Sequence, residues 1–274
     1  MPMFDSAVNV IDSESIQPAS SIWTLVREQA EDLARREPTM RAILEGQFVS
    51  ASDNVDVVAQ VLAARLSVAK IDFGVLCALF RDVLRGDPEL MNTIGADLIA
   101  VRERDPACRT YLHALLNLKG FQGLQTHRIA NRLWYSGRTE IASWLSSLAS
   151  LVFGPDIHPA AEIGASIMLD HGSGIVIGET AVVKDGVSIL QNVTLGGTGK
   201  ETGDRHPKVD QGVMIGAGAK ILGNIEIGAF SKIAAGSVVL QAVPPRCTVA
   251  GVPAKVVRVH PVGEIPAASM DQRI

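Results

Sequence analysis

Ile, Leu or Val recurs every six residues along three stretches of this 274-residue chain. The first stretch is Ile157, Ile163 and Leu169; the second is Ile177, Val183, Ile189 and Leu195; the third is Val209, Ile215, Ile221, Ile227, Ile233 and Val239. Small residues follow directly on many of them: Gly164, Gly178, Gly196, Gly216, Gly228 and Ala234. A period of six matches neither the 3.6 of an amphipathic helix nor the 2 of a half-buried strand. It matches a solenoid whose flat sides are one hexapeptide each. Three sides close a triangular coil, and the aliphatic residues stack inward along its axis. Glycine and other small residues then fall near corners, where the backbone turns sharply or approaches a neighbour closely. The spacing predicts a parallel β-helix over residues 155–258.

Residues 21–154 carry a helical period instead. Apolar stripes run through Ile22, Leu25, Val26 and Leu33, through Val57, Val58, Val61, Leu62 and Leu66, and through Phe73, Leu76, Phe80, Val83 and Leu84. Two more run through Tyr111, Leu112, Leu115 and Leu116, and through Ile141, Trp144, Leu145, Leu148, Leu151 and Val152. Glu37-Pro38, Gly86-Asp87-Pro88, Asp105-Pro106 and Gly137 punctuate them. The pattern predicts an N-terminal all-α bundle of roughly six to eight helices, with the boundary at Phe153-Gly154-Pro155, where the period changes. The fold class expected is therefore α+β and multi-domain. Segments 1–20 and 259–274 lack the capacity for a core and are expected to be flexible ends.

The net charge of −4 argues against nucleic acid as the main partner. No apolar run has the length of a membrane span, and Met1–Ser21 lacks the basic start and apolar stretch of a signal peptide. Cys77, Cys108 and Cys247 are odd in number and widely spaced, which suits reduced thiols in a cytoplasm.

A solenoid does a repetitive job, so interruptions of its repeat need a reason. Between Leu169 and Ile177 the step is eight, and the insert holds Asp170-His171-Gly172-Ser173-Gly174. Between Leu195 and Val209 the step is fourteen, and the insert runs from Gly196 to Lys208 with Arg205-His206 near its end. His171 is the candidate general base, because imidazole titrates near neutrality and a carboxylate can steady its tautomer. Asp156 precedes it by fifteen residues, three short of a coil, so both approach one edge of the prism. Contact between them does not follow from spacing, and His171 as a turn-capping corner residue stays open. His158 reads as shaping the start of the first coil, and His113 and His127 as packing or surface residues.

Longer runs carry a family likeness. Asp156-Ile157-His158-Pro159-Ala160-Ala161, Leu169-Asp170-His171-Gly172, Gly178-Glu179-Thr180-Ala181-Val182 and Leu195-Gly196-Gly197-Thr198-Gly199-Lys200 resemble serine O-acetyltransferases. So do Gly203-Asp204-Arg205-His206-Pro207, Ala250-Gly251-Val252-Pro253-Ala254 and, upstream, Val101-Arg102-Glu103-Arg104-Asp105-Pro106. The resemblance spans about residues 20 to 257. It implies a left-handed β-helix and acetyl transfer from acetyl-CoA to the L-serine hydroxyl, without an acetyl-enzyme, a metal or a prosthetic group. It further implies His171 as base with Asp156 orienting it, Arg205 and His206 at the serine carboxylate, and Asp105 and Asp170 at the amino group. Asp105-Pro106 also reads as a helix N-cap, just as Asp87-Pro88 does. For the CoA moiety the resemblance implies Gly197, Thr198, Ala217 and Ala235, with Lys232 near the phosphates. It implies trimers with active sites between prisms, joined by the helical domains into a hexamer, and inhibition by L-cysteine. The final Ile274 matches the residue with which the family engages O-acetylserine sulfhydrylase. Two rival readings are a zinc carbonic anhydrase using His158, His171 and His206, and a non-catalytic scaffold.

Overall fold

The computed structural model describes residues 19–68, 71–199 and 201–274. The expected flexible segment 1–20 lies almost wholly outside the described residues, as does Lys200 of the second insert. Among the described residues eight α-helices come first: α1 (Ala19–Arg36), α2 (Arg41–Leu44), α3 (Asn54–Leu66), α4 (Phe73–Gly86), α5 (Pro88–Arg104), α6 (Tyr111–Asn117), α7 (Lys119–Tyr135) and α8 (Thr139–Phe153). Four of their starts follow capping chemistry, in which a side-chain oxygen satisfies an N–H that the first turn leaves unpaired. Asp53 accepts from Asp56 N, Asp72 from Val75 N, Asp87 from Glu89 N and Thr110 from His113 N. Asp105 does not cap a helix start. It ends α5, its own N–H donating to Val101 O, while its carboxylate accepts from Ala107 N at 2.8 Å. The two Asp-Pro pairs thus do different jobs.

Most of the striped residues form one buried helical core, but Phe73, Trp144 and Leu151 stand 42%, 40% and 79% exposed. These three sit on outer faces of their helices, where a stripe wider than the buried contact leaves its margin in solvent.

The remainder winds as a three-faced prism. The first face is β1 (Asp156–Ile157), β4 (Val176–Ile177), β7 (Thr194–Gly196), β10 (Lys220–Leu222) and β13 (Val238–Val239). The second is β2 (Glu162–Ile163), β5 (Val182–Val183), β8 (Lys208–Val209) and β11 (Glu226–Ile227). The third is β3 (Met168–Leu169), β6 (Ser188–Ile189), β9 (Met214–Ile215), β12 (Lys232–Ile233) and β14 (Cys247–Gly251), closed by antiparallel β15 (Ala254–Val259). All other pairings are parallel, and the register stacks the repeat on itself: Ile157, Ile177, Leu195, Ile221 and Val239 form one inward column. Ile163, Val183, Val209 and Ile227 form the second. Of the repeat residues only Ile163 is less than fully buried. Each fully buried aliphatic contributes roughly 1.5–3 kcal/mol, so the columns are the prism's main stabilisation.

Helix α7 closes the first coil. Leu124 is fully buried within the solenoid cluster, and Asn131 Nδ2 donates to Pro159 O and Ala161 O at 2.8 and 3.1 Å. Beside it lies a buried ion pair. Arg128 donates to both oxygens of Asp97 and to the carbonyls of Ile163 and Gly164. Asp97 also accepts from Gln125 Nε2 and Ile167 N, so every neighbour is a donor. Burial alone pushes this carboxyl up. With four donors and no acceptor for a proton around it, we hold it ionised.

The segment expected as a flexible tail carries a further turn, α9 (Pro266–Ser269). Ala267 is fully buried against Leu190 and Met214, with Met270 beside it, and Ser188 Oγ donates to Ala267 O at 2.9 Å. Two small apolar residues fit a hollow on the third face, which no periodicity would reveal.

Candidate active site

The two inserts leave the prism at different edges. The first leaves between the third and first faces, where His171 has φ +57° and Gly172 φ +82°, a left-handed pair that throws the chain outward. Two glycines allow α7 to press on this bend. A Cβ on Gly120 would lie 2.0 Å from Leu169 O, and one on Gly172 would lie 2.9 Å from Gly120 Cα. A cavity of about 770 Å³ results, lined by Asp105 at the end of α5, Lys119 at the start of α7, Asp170, His171 and Met270. His171 is exposed, and its Nε2 stands 3.8 Å from Asp170 Oδ1. Burial pushes the Asp170 carboxyl up; His171 opposes this and Asp105 adds to it by like charge. Arg104 lines the cavity but is committed, donating to Gly186 O, Ser188 Oγ and Ser166 Oγ, and Lys119 Nζ donates to Ser173 Oγ. His113 lines this cavity too, whereas His127 is buried where α7 meets the first coil, with its pKa pushed down to about 3, first by burial.

Ala217 and Ala235 occupy the same edge, at the turns from β9 to β10 and from β12 to β13. Lys232, on the third face, is buried, and its Nζ donates to Arg273 O. Burial pulls the Lys232 ammonium below its usual range, with Asp271 opposing.

The second insert leaves between the first and second faces and borders another cavity, of about 780 Å³. Asp156, His158, Gly178, Glu179, Arg205 and His206 line it, beneath the serine-rich face of α8. Arg205 Nη2 donates to Glu179 Oε2 at 2.6 Å and Nη1 to Gly203 O at 3.0 Å, and the guanidinium holds the Glu179 carboxyl below its usual range. Thr180 organises the return of the loop. Its Oγ1 accepts from Arg205 N and His206 N at 3.0 and 3.1 Å and stands 2.9 Å from His206 Nδ1. Thr180 N donates to the same Nδ1 at 3.2 Å. Gly178 is needed here because a Cβ would lie 2.1 Å from the His206 ring. Gly197 is half-buried with Arg205 O 3.5 Å from its absent Cβ, and Thr198 is exposed farther out on the loop.

The sequence candidates are thus split. Asp105, Asp170, His171, Ala217 and Ala235 belong to one edge; Gly197, Thr198, Arg205 and His206 belong to the other. Asp156 starts the first face between them and lines the Arg205 cavity, while the carboxylate set against His171 is Asp170. Glu179 and Thr180 are absent from the sequence candidates, and His158 enters them only through the rival zinc reading. Their signal was position, since all three follow a repeat residue at the corner from which the second insert departs. The proposed histidine trio is divided, His158 and His206 in one cavity and His171 in the other. Among the described residues no group of three or more His, Cys, Asp or Glu side chains is placed to share a metal ion.

Tautomers separate the histidines chemically. Backbone N–H groups donate to Nδ1 of His206 and, from Ala160 at 3.1 Å, to Nδ1 of His158. Burial lowers both pKa values. Each ring is therefore neutral with its proton on Nε2, a hydrogen-bond donor and not a base on that side. The His171 ring makes no such bond to a backbone N–H and stands in the open cavity.

The chain matches the sequence model described as serine acetyltransferase, N-terminal, over residues 22–126, and that of the bacterial transferase hexapeptide (six repeats) over 206–241. It is 47% identical over 258 residues to the serine acetyltransferase of Escherichia coli K12, covering 94% of each chain. The crystal structure of the Brucella abortus serine acetyltransferase in complex with coenzyme A is similar at TM-score 0.86 and 47% identity, over 88% of this chain and 96% of that one. Soybean serine acetyltransferase complexed with serine is similar at TM-score 0.86 and 46% identity, over 89% and 100%. A helical bundle capping a hexapeptide prism, and this identity over nearly the whole length, make the chain an acyltransferase that belongs to the serine acetyltransferase family.

Proposed function

We propose that the chain transfers acetyl from acetyl-CoA to the L-serine hydroxyl, giving O-acetyl-L-serine and CoA, at a site assembled from two copies. The observation that carries this is the division of groups between edges. One cavity offers carboxylates for an ammonium and an imidazole free to accept a proton; the other offers donors for a carboxylate. A zwitterionic amino acid needs both sets. Apposing the His171 edge of one prism to the Arg205 edge of the next supplies them, and three copies close the arrangement.

In this site Asp105 and Asp170 hold the serine ammonium, and Arg205 and His206 face its carboxylate. The His171 imidazole takes the hydroxyl proton as serine Oγ attacks the thioester carbon. Asp156, on the face between the edges, steadies the imidazolium. When the tetrahedral intermediate collapses, the C–S bond breaks and the proton passes from His171 to the leaving thiolate. No acetyl-enzyme is involved. The three cysteines are buried, and burial pushes the Cys77 and Cys108 thiols up, away from nucleophilic thiolate. Gly197, Thr198, Ala217 and Ala235 give CoA a close approach along the prism. Lys232 reaches its phosphates once the Arg273 carbonyl releases the ammonium.

L-Cysteine differs from serine by sulfur for oxygen and would occupy the same groups, so it inhibits by competition. The helical domains join two trimers into a hexamer. Ile274, 70% exposed, carries the carboxylate that enters O-acetylserine sulfhydrylase. No described helix is long and apolar enough to cross a membrane, and unpaired thiols suit a cytoplasmic enzyme.

The test is thiol release from acetyl-CoA with serine, homoserine and hexose acceptors. His171→Ala should lower serine turnover at least about a hundredfold, and a loss under about tenfold would assign the proton transfer elsewhere. Mixing His171→Ala and Arg205→Ala chains during refolding should restore about a quarter of the sites, since random cyclic assembly pairs the two intact edges that often. No recovery would place both groups in one chain's site.

A further inference from the structure

We infer that His158 is a further substrate-binding residue, its Nε2–H donating to the carboxylate of the acceptor amino acid beside Arg205. The inference rests on the shared-site reading above and adds a residue to it. Helix α7 builds the position. Asn131 holds Pro159 O and Ala161 O, and Tyr135 OH donates to Ala160 O at 3.0 Å, which fixes the corner 159–161. That corner aims Ala160 N–H at His158 Nδ1, 3.1 Å away. Trp134 meets the ring edge-on, with centroids 5.1 Å apart and planes at 73°. Nδ1 is thus an acceptor and the ring is oriented from two sides, leaving the Nε2 proton as its only donor.

The ring lines the cavity that holds Arg205 and His206. Burial keeps it neutral; Glu179 opposes that effect and Arg205 reinforces it. A neutral donor is useful here because Arg205 is not a free fork. Both its terminal nitrogens already serve Glu179 and Gly203. A carboxylate has two oxygens with about four acceptor sites between them, more than the remaining Arg205 hydrogens can fill. The same locked proton excludes His158 as the base.

Two variants and one spectrum test this. His158→Phe keeps a ring on Trp134 and removes the donor; His158→Gln restores an N–H at similar reach. Losing a hydrogen bond to a charged group predicts a fall of about ten- to a hundredfold in kcat/KM for serine with His158→Phe, carried mainly by KM. The KM for acetyl-CoA should stay within about twofold, and His158→Gln should recover most of the loss. Nitrogen-15 spectra of the labelled protein at neutral pH should show His158 protonated on Nε2 only. A serine KM unchanged in His158→Phe, a His158→Gln variant as impaired as His158→Phe, or an imidazolium at neutral pH would each overturn the assignment. If the unsubstituted chain released no CoA with serine, the reading of the site would fall and the named acceptor with it. The spectrum reports on the His158 tautomer in either case.

Discussion

Substituting Gly178 by Ala isolates the placement of one ring. Gly178 does not sit at positive φ, so alanine adds no backbone strain, and its only new atom is a methyl. That methyl would lie 2.1 Å from Cδ2 and Nε2 of His206, whereas ordinary contact begins near 3.4 Å, so the ring must retreat by about 1.3 Å. His206 is held by Thr180 N and Oγ1 through Nδ1, at 3.2 and 2.9 Å, and a retreat of that size breaks both bonds. The expected loss of stability is about 1–3 kcal/mol, one net hydrogen bond or two with some repacking. A misplacement of about 1 Å costs on the order of a hundredfold in rate, so kcat/KM for serine should fall roughly 30- to 100-fold. Gly196→Ala is the control. It lies one coil later at the equivalent corner, and its methyl meets only Leu222 Cδ2 and Thr194 Cγ2, at 3.1 and 3.2 Å, which can yield. Thiol release with serine as the varied substrate, alongside thermal unfolding, separates the two. If Gly178→Ala acetylates serine within about threefold of the unsubstituted enzyme, His206 does not work where the structure holds it.

Asp105→Asn removes a like charge that raises the Asp170 carboxyl. Beyond its loss of serine affinity, it should move the acid limb of kcat/KM to lower pH, because Asp170 then stays ionised further into acid; an unmoved limb would uncouple the two carboxylates. Asp97→Ala strands the buried Arg128 guanidinium and should cost about 3–5 kcal/mol, read by denaturant titration, and a loss under about 1 kcal/mol would show that water reaches the pair. Deleting Ile274 should abolish binding to O-acetylserine sulfhydrylase and leave acetyl transfer intact; unchanged affinity in a titration with the truncated chain would reject the anchor.

The inward columns were legible because each strand spends one position on the core and repeats it, so Ile177, Leu195 and Ile221 announce their stacking without coordinates. The two inserts were legible as breaks in that count. Which groups share a cavity was not. Neighbours along a prism edge come from different coils, and the long insert separates Thr180 from the His206 it holds by 26 residues. Asp87 and Asp105 look alike beside their prolines, yet one starts a helix and the other ends one, because only the chain after Asp87 continues with helical register. The docking of Ala267 was hidden for another reason. A four-residue turn has no period, and its place is set by the hollow that Leu190 and Met214 leave for it.

Leu124 has a consequence beyond packing. A stack of triangular rungs ends in an apolar mouth, and a mouth lined with Ile157, Ile163 and Leu169 would accept any similar mouth. Buried in one cluster with Ile157 and Leu169, the α7 leucine covers that mouth with a side chain from the preceding helices. The helices therefore cover this end of the column as well as shaping the His171 cavity, and a prism cut free at Phe153 should self-associate through the uncovered end.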